Sequence, residues 1–200
     1  MGGRLYLGQC ASCHGPDGEG ASGPQLNNPT FLRTASDGFL AATIVLGRTH
    51  TPMQSMVTGT QGLGQVEPEQ VRDVVAFLRR WESRPGGQEP RRVAEVSDSA
   101  VEAGRAGYAD YCAACHGAGG RGGFDAESRF APALNNPEFL AAASDGFLVA
   151  TIARGRAGTP MRGFGEGAGG VVALSAEQIN EIVAYLRSWE RPGGDKGVGS

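Results

Sequence analysis

A chain of 200 residues with 40% hydrophobic residues, 7% aromatics and 33 glycines has room for one or two small domains in which loops take much of the length. Its formal net charge of −3, with no basic stripe in either half and Lys196 as the sole lysine, excludes the electrostatic footprint of nucleic-acid binding. No apolar run reaches the roughly 20 residues a membrane-spanning helix needs, and no secretory leader is visible ahead of the first helix-like segment. Domains this small bury a modest share of their surface and call for a staple beyond the core itself.

Helix-like sequence begins almost at Met1 and runs into Cys10-Ala11-Ser12-Cys13-His14. Cys-x-x-Cys-His is the attachment signature of c-type haem. Two thiols one helical turn apart can each add to a vinyl group on one edge of a porphyrin, and the adjoining histidine then lays its ring over the same macrocycle and ligates iron. A disulfide framework, a zinc site or a thioredoxin-like redox pair are the competing readings of such cysteines. The last needs a βαβ setting, and no alternating strand pattern occurs anywhere in the chain.

Farther along, Asn27 and Asn28 read as N-caps ahead of Pro29, and Ser36 as the N-cap of a helix that stops at Gly47. After Gly47-Arg48 comes a short loop holding His50, Thr51-Pro52-Met53 and Met56. Pro68 opens a last helix with Val66 and Val71 as its hydrophobic staple; Val71, Val74, Val75 and Leu78 form its apolar face, and Trp81, like Trp189 later, reads as closing the core in preference to packing on a haem. The stretch 85–98, rich in Gly, Pro and charge, reads as a linker.

The sequence then repeats. Leu134-Asn135-Asn136-Pro137, Ser144-Asp145-Gly146-Phe147-Leu148, Thr159-Pro160-Met161 and Trp189-Glu190 each reproduce a first-copy segment 108 positions upstream. Ser99 with Glu102 reads as a capping box for a helix into Cys112-Ala113-Ala114-Cys115-His116, and Ser175 with Gln178 as a second box, with Leu174 and Ile179 as its staple. The two cysteine motifs lie only 102 positions apart, so copy two has extra residues ahead of Pro132, a surface loop around Gly122–Phe130. These readings predict an all-α chain of two tandem domains, 1–84 and 99–191, joined by the 85–98 linker and ending in a flexible tail, 192–200.

Matching Cys-x-x-Cys-His motifs in both copies favour two covalently attached haems over disulfides or zinc, with His14 and His116 as iron ligands. The sixth ligand comes from the same comparison. Met53 and Met161 both follow Thr-Pro at one repeat position, and a soft, neutral thioether suits ferrous iron and raises its potential. In copy one His50 and Met56 compete, but copy two has no other methionine or ligand histidine in that loop, and Met53 reproduces its geometry. Arg48 and Arg156, each in Gly-Arg before the methionine loop, read either as partners of a haem propionate or as solvated loop charges.

With these motifs in place, each copy resembles a class I cytochrome c, over nearly the whole chain. The resemblance implies that Gly2 with Tyr6, and Gly104 with Tyr108, mark where the first helix of each copy crosses the last, against Phe77 and Tyr185. It implies that the carbonyls of Pro24 and Pro132 accept the ring N–H of the ligand histidines. It also implies an electron carrier on the outer side of the bacterial plasma membrane, exchanging electrons with a redox-protein donor and acceptor, for example a respiratory or photosynthetic complex. The lysine ring of mitochondrial-type members is missing, so strong steering toward partners is not expected. A di-haem peroxidase-like enzyme and a haem-based redox or gas sensor are the alternatives. Against the enzyme, His50 is the only histidine left for distal acid–base work.

Overall fold

The computed structural model describes residues 1–60, 62, 64–82, 96–124, 130–170 and 172–191. Copy one folds as α1 (Gly2–Gln9), the single turn α2 (Ala11–His14), α3 (Pro29–Thr34), α4 (Asp37–Leu46) and α5 (Val71–Arg79), the last entered through a 3-10 turn at Pro68–Gln70. Copy two repeats the set as α6 (Asp98–Tyr111), α7 (Ala113–His116), α8 (Pro137–Ala142), α9 (Asp145–Arg154) and α10 (Ala176–Ser188). The one strand pairing among the described residues is a two-residue ladder, Gly123–Phe124 against Phe130–Ala131, at the base of the copy-two insertion. The expected linker lies almost wholly outside the described residues, as does the 192–200 tail.

Local chemistry accounts for the helix starts. Asn28 and Asn136 accept from backbone N–H groups one turn on, and Ser36 and Ser144 do the same for Phe39 and Phe147. Asn27 and Asn135 are not caps. They sit one residue too early, and their amides donate instead to the Asp17 and Gly119 carbonyls, closing the loop behind each histidine. The copy-two cap also differs from expectation: Ser97, not Ser99, accepts from the Ala100 N–H, which draws Asp98 into the first turn where the helix dipole favours a carboxylate. The box at Ser175 and Gln178 is present, and Glu67 with Gln70 forms its copy-one equivalent.

First and last helices cross at glycine in both copies. A Cβ on Gly2 would lie 1.9 Å from the Asp73 carbonyl oxygen, and one on Gly104 would lie 1.9 Å from that of Glu181, so the backbones meet with no room for a side chain. Beside each crossing stands an aromatic cluster: Tyr6 lies 5.3 Å from Phe77 and 5.1 Å from Trp81, and Tyr108 lies 5.5 Å from Tyr185 and 5.4 Å from Trp189. Trp189 is buried and Trp81 half-buried against the core, over Gly120 and Gly18, where a Cβ would meet the rings at 2.5 and 2.6 Å. The tyrosines also reach the cysteine motif. Their hydroxyls donate to the Gly15 and Gly117 carbonyls at 2.7 and 2.8 Å, pinning the turn that follows each histidine.

An arginine, buried in copy two and half-buried in copy one, ties each last helix to the corner between the two middle helices. Arg187 pairs with Asp145 at 2.6 Å and donates to the Leu140 and Ala143 carbonyls; Arg79 does the same with Asp37, Leu32 and Ala35. The carbonyls are those left open at the ends of α8 and α3, so the guanidinium completes the helix termini as well as the ion pair.

The copies pack on each other through α3 against α9 and α4 against α8. Phe31, Phe39, Phe139 and Phe147 meet there, with Phe39 and Phe147 rings 4.4 Å apart, and the 6.2 Å Phe31–Phe147 contact is mirrored by Phe39–Phe139 at 6.1 Å. Two backbone bonds cross with the same reciprocity: Gln25 N–H to the Ala157 carbonyl at 3.0 Å, and Ala133 N–H to the Thr49 carbonyl at 3.1 Å. Each contact maps onto its mate by the repeat offset, which makes the interface pseudo-twofold.

Candidate haem sites

Each histidine is delivered by a one-turn helix that stops at a positive-φ glycine, Gly15 or Gly117. The Nδ1 of His14 lies 2.8 Å from the Pro24 carbonyl oxygen, and that of His116 lies 3.0 Å from the Pro132 oxygen. A carbonyl only accepts, so Nδ1 carries the proton and Nε2 keeps its lone pair for a metal. Behind the first ring sits Gly23, where a Cβ would come within 3.0 Å of the imidazole. Both histidines are buried, and burial is the main cause that lowers their pKa, opposed by the proline bond and reinforced by an arginine charge. They are thus held neutral, the form that ligates iron.

All four cysteines are free thiols, Cys13 and Cys115 exposed, Cys10 and Cys112 half-buried. Burial, with a smaller push from the neighbouring cysteine, raises the Cys10 thiol to about 11 and the Cys112 thiol to about 12. That is the opposite of the depressed pKa of a thiol-exchange nucleophile. Among the described residues no cluster of three or more His, Cys, Asp or Glu could hold a metal ion.

The methionine loops of the two copies close through the same bonds. Arg48 N–H donates to the Met53 carbonyl, the Thr51 hydroxyl donates to the Arg48 carbonyl at 2.7 Å, and the Met53 N–H donates to the Thr51 hydroxyl at 3.1 Å. Arg156, Thr159 and Met161 repeat all three. Met53 and Met161 are half-buried, whereas Met56 packs against the core and His50 is exposed. His50 has φ +61 and its counterpart Gly158 has +78, so the turn imposes a left-handed conformation there that glycine adopts freely and histidine does not.

Arg48 and Arg156 are not solvated loop charges. Each is half-buried and lies 3.9 Å over a phenylalanine of the opposite copy, Arg48 on Phe139 and Arg156 on Phe31. Burial pulls both guanidiniums down to about 10, and for Arg48 the Arg156 charge adds to the effect. No carboxylate among the described residues pairs with either. The arginine of one copy also reaches the histidine of the other electrostatically: Arg156 disfavours protonation of His14, and Arg48 that of His116.

The cytochrome c sequence profile matches residues 1–81 and 101–190. The chain belongs to the cytochrome c family. Membership implies covalently bound haem c. The donor set fits it: free thiols and a neutral Nε2 sit on one turn, and a half-buried guanidinium with no carboxylate partner among the described residues bears on each histidine. No curated protein matches the cytochrome in sequence. Among solved structures, the reducing HAO-like protein complex of Kuenenia stuttgartiensis aligns at 22% identity and a TM-score of 0.45, covering 95% of this chain and 96% of that one. The dihydro-heme d1 dehydrogenase NirN in complex with DHE aligns at 28% identity and a TM-score of 0.33, covering 45% of this chain and 17% of that one.

Sequence reasoning missed the Arg79 and Arg187 clamps, although their partners Asp37, Asp145, Glu82 and Glu190 all recur at the repeat offset. It also missed that Arg48 and Arg156 cross between copies, because a repeat offset carries no information on how the copies dock.

Proposed function

We propose that this cytochrome is a two-haem electron relay, each iron held between a histidine and a methionine: His14 with Met53 and His116 with Met161. Cys10, Cys13, Cys112 and Cys115 would carry the thioether links, and Pro24 and Pro132 would fix the imidazoles. The haem supplies a one-electron ferric/ferrous couple when bound. The chain's part would be to supply a histidine and a methionine to each iron, keep water off, and hold the two sites at a fixed separation. The observation that carries the reading is the duplication of the site, bond for bond, from the proline–histidine contact to the threonine-closed methionine turn. A site built twice with the same closed ligand set suits transfer through the chain better than substrate binding at one open iron.

The partners on this reading are redox proteins, a donor and an acceptor, including subunits of a larger oxidoreductase or membrane complex, and the place of work is outside the cytoplasm, where haem is attached to such motifs. No described helix is long and apolar enough to cross a membrane.

The reduced, haem-loaded protein is expected to resist carbon monoxide, because on this reading each iron would take both a histidine and a methionine from the chain. Met161→Ala should open one iron to it and Met53→Ala the other, each with loss of that haem's sulfur-to-iron charge-transfer band. His50→Ala should open neither. Survival of the copy-one band in Met53→Ala, with carbon monoxide binding in His50→Ala, would overturn the ligand assignment.

A further inference from the structure

We infer that the two haem sites are cross-clamped: Arg156 of copy two holds the propionate edge of the haem on His14, and Arg48 of copy one holds that of the haem on His116. The inference rests on the two-haem reading above and adds to it a direction that the tandem order of the domains does not suggest.

The geometry runs through one residue step on each side. Pro24, whose carbonyl orients His14, is followed by Gln25, whose N–H bonds to Ala157, the residue next to Arg156. Pro132, whose carbonyl orients His116, is followed by Ala133, whose N–H bonds to Thr49, the residue next to Arg48. Each histidine's support is therefore braced by the arginine loop of the other copy. Gly158 tightens the first of these braces: a Cβ there would stand 3.3 Å from the Gln25 nitrogen and 3.6 Å from the Pro24 Cα.

Charge points the same way. Each guanidinium lies 3.9 Å over the opposite copy's phenylalanine and lacks a carboxylate among the described residues. The Arg156 charge also disfavours that of Arg48. A half-buried pair of like charges needs anions around it, and haem propionates are the anions the family's cofactor brings. A planar guanidinium suits a carboxylate in bidentate fashion. The consequence is that each haem's potential is set partly by the other domain.

The test is a redox titration of the intact haem-loaded chain, following each haem separately by its own haem-methyl proton resonances, assigned through contacts to Met53 or Met161. Removing a nearby positive charge favours the ferric form. Arg48→Gln is expected to shift the ferric/ferrous ratio of the haem on His116 about tenfold toward ferric, which is 59 mV for one electron, and to leave the haem on His14 in place. Arg156→Gln should do the reverse. Arg48→Lys keeps the charge and should return most of the shift; if the glutamine variant fails to load haem, the lysine variant alone should still move the His116 haem, by a smaller step. A shift confined to the arginine's own domain, or equal in both, or absent, overturns the cross-clamp. Failure of the underlying reading shows separately, as wild-type protein lacking two methionine-ligated sets of resonances.

Discussion

Arg187→Ala is expected to cost copy two about 3–5 kcal/mol, the range for breaking a buried ion pair by removing one partner. The side chains of Arg187 and Asp145 are 6% and 5% exposed, so the substitution leaves a carboxylate in the interior and also strips the Leu140 and Ala143 carbonyls of a charged donor. Arg79 is not a clean control: Asp37 is 66% exposed, so water takes over its charge, but Glu82, 4% exposed, would lose its arginine along with the Leu32 and Ala35 carbonyls, and Arg79→Ala should also cost about 3–5 kcal/mol. The control is the aspartate: Asp37→Ala breaks a largely exposed pair and should cost about 0–1 kcal/mol, whereas Asp145→Ala leaves the buried Arg187 short of its partner and should cost about 3–5 kcal/mol. Urea unfolding of the two aspartate variants, each haem-loaded and followed by far-UV circular dichroism, separates them. Equal losses would mean that burial of the carboxylate is not what sets the cost.

Gly104→Ala should be at least as damaging. The added methyl would meet the Glu181 carbonyl oxygen at 1.9 Å and the Ile182 nitrogen at 3.0 Å, both backbone atoms, so the α6–α10 crossing itself must open. Overpacking that side chains can absorb costs roughly 1–3 kcal/mol, and here no side chain can give way, so the loss should reach or pass the top of that range. The same substitution at Gly8, exposed in α1 with nothing within 4 Å of an added Cβ, should stabilise by roughly 0.5–1 kcal/mol through lower unfolded-state entropy. Thermal unfolding of the pair checks both signs, and a near-neutral Gly104→Ala would show that the crossing is looser than the contact distance requires.

Much of this was legible because the fold is carried by short-range signals that occur twice. Helix starts at Ser36 and Ser144 and the box at Ser175 depend on residue type within a turn, while the glycine crossings came with the family resemblance. Repetition then removed ambiguity: Met53 stands out from Met56 and His50 only because Thr159-Pro160-Met161 exists. The failures have a shared cause. Ser97 against Ser99, or Asn28 against Asn27, are choices between equivalent side chains one or two residues apart, decided by where the backbone turns. The docking of the copies was invisible for a stronger reason. Phe31, Phe39, Phe139 and Phe147 look like core residues of their own domains, and only their positions show that they face each other across a pseudo-twofold axis. Arg48 and Arg156 took their meaning from that axis, so the sequence left open whether they are clamps or surface charges.

The central claim is two covalently held haems with matched histidine–methionine ligation. It is tested most directly by spectroelectrochemical titration of the intact haem-loaded chain. The account predicts two one-electron steps, both at the high potential that a thioether ligand confers. The steps should be distinct, because Gln9 precedes the first cysteine in one copy and Tyr111 in the other, and the copy-two insertion alters the loop ahead of Pro132. A single step from one haem, or one step at the strongly negative potential of a bis-histidine site, would contradict it.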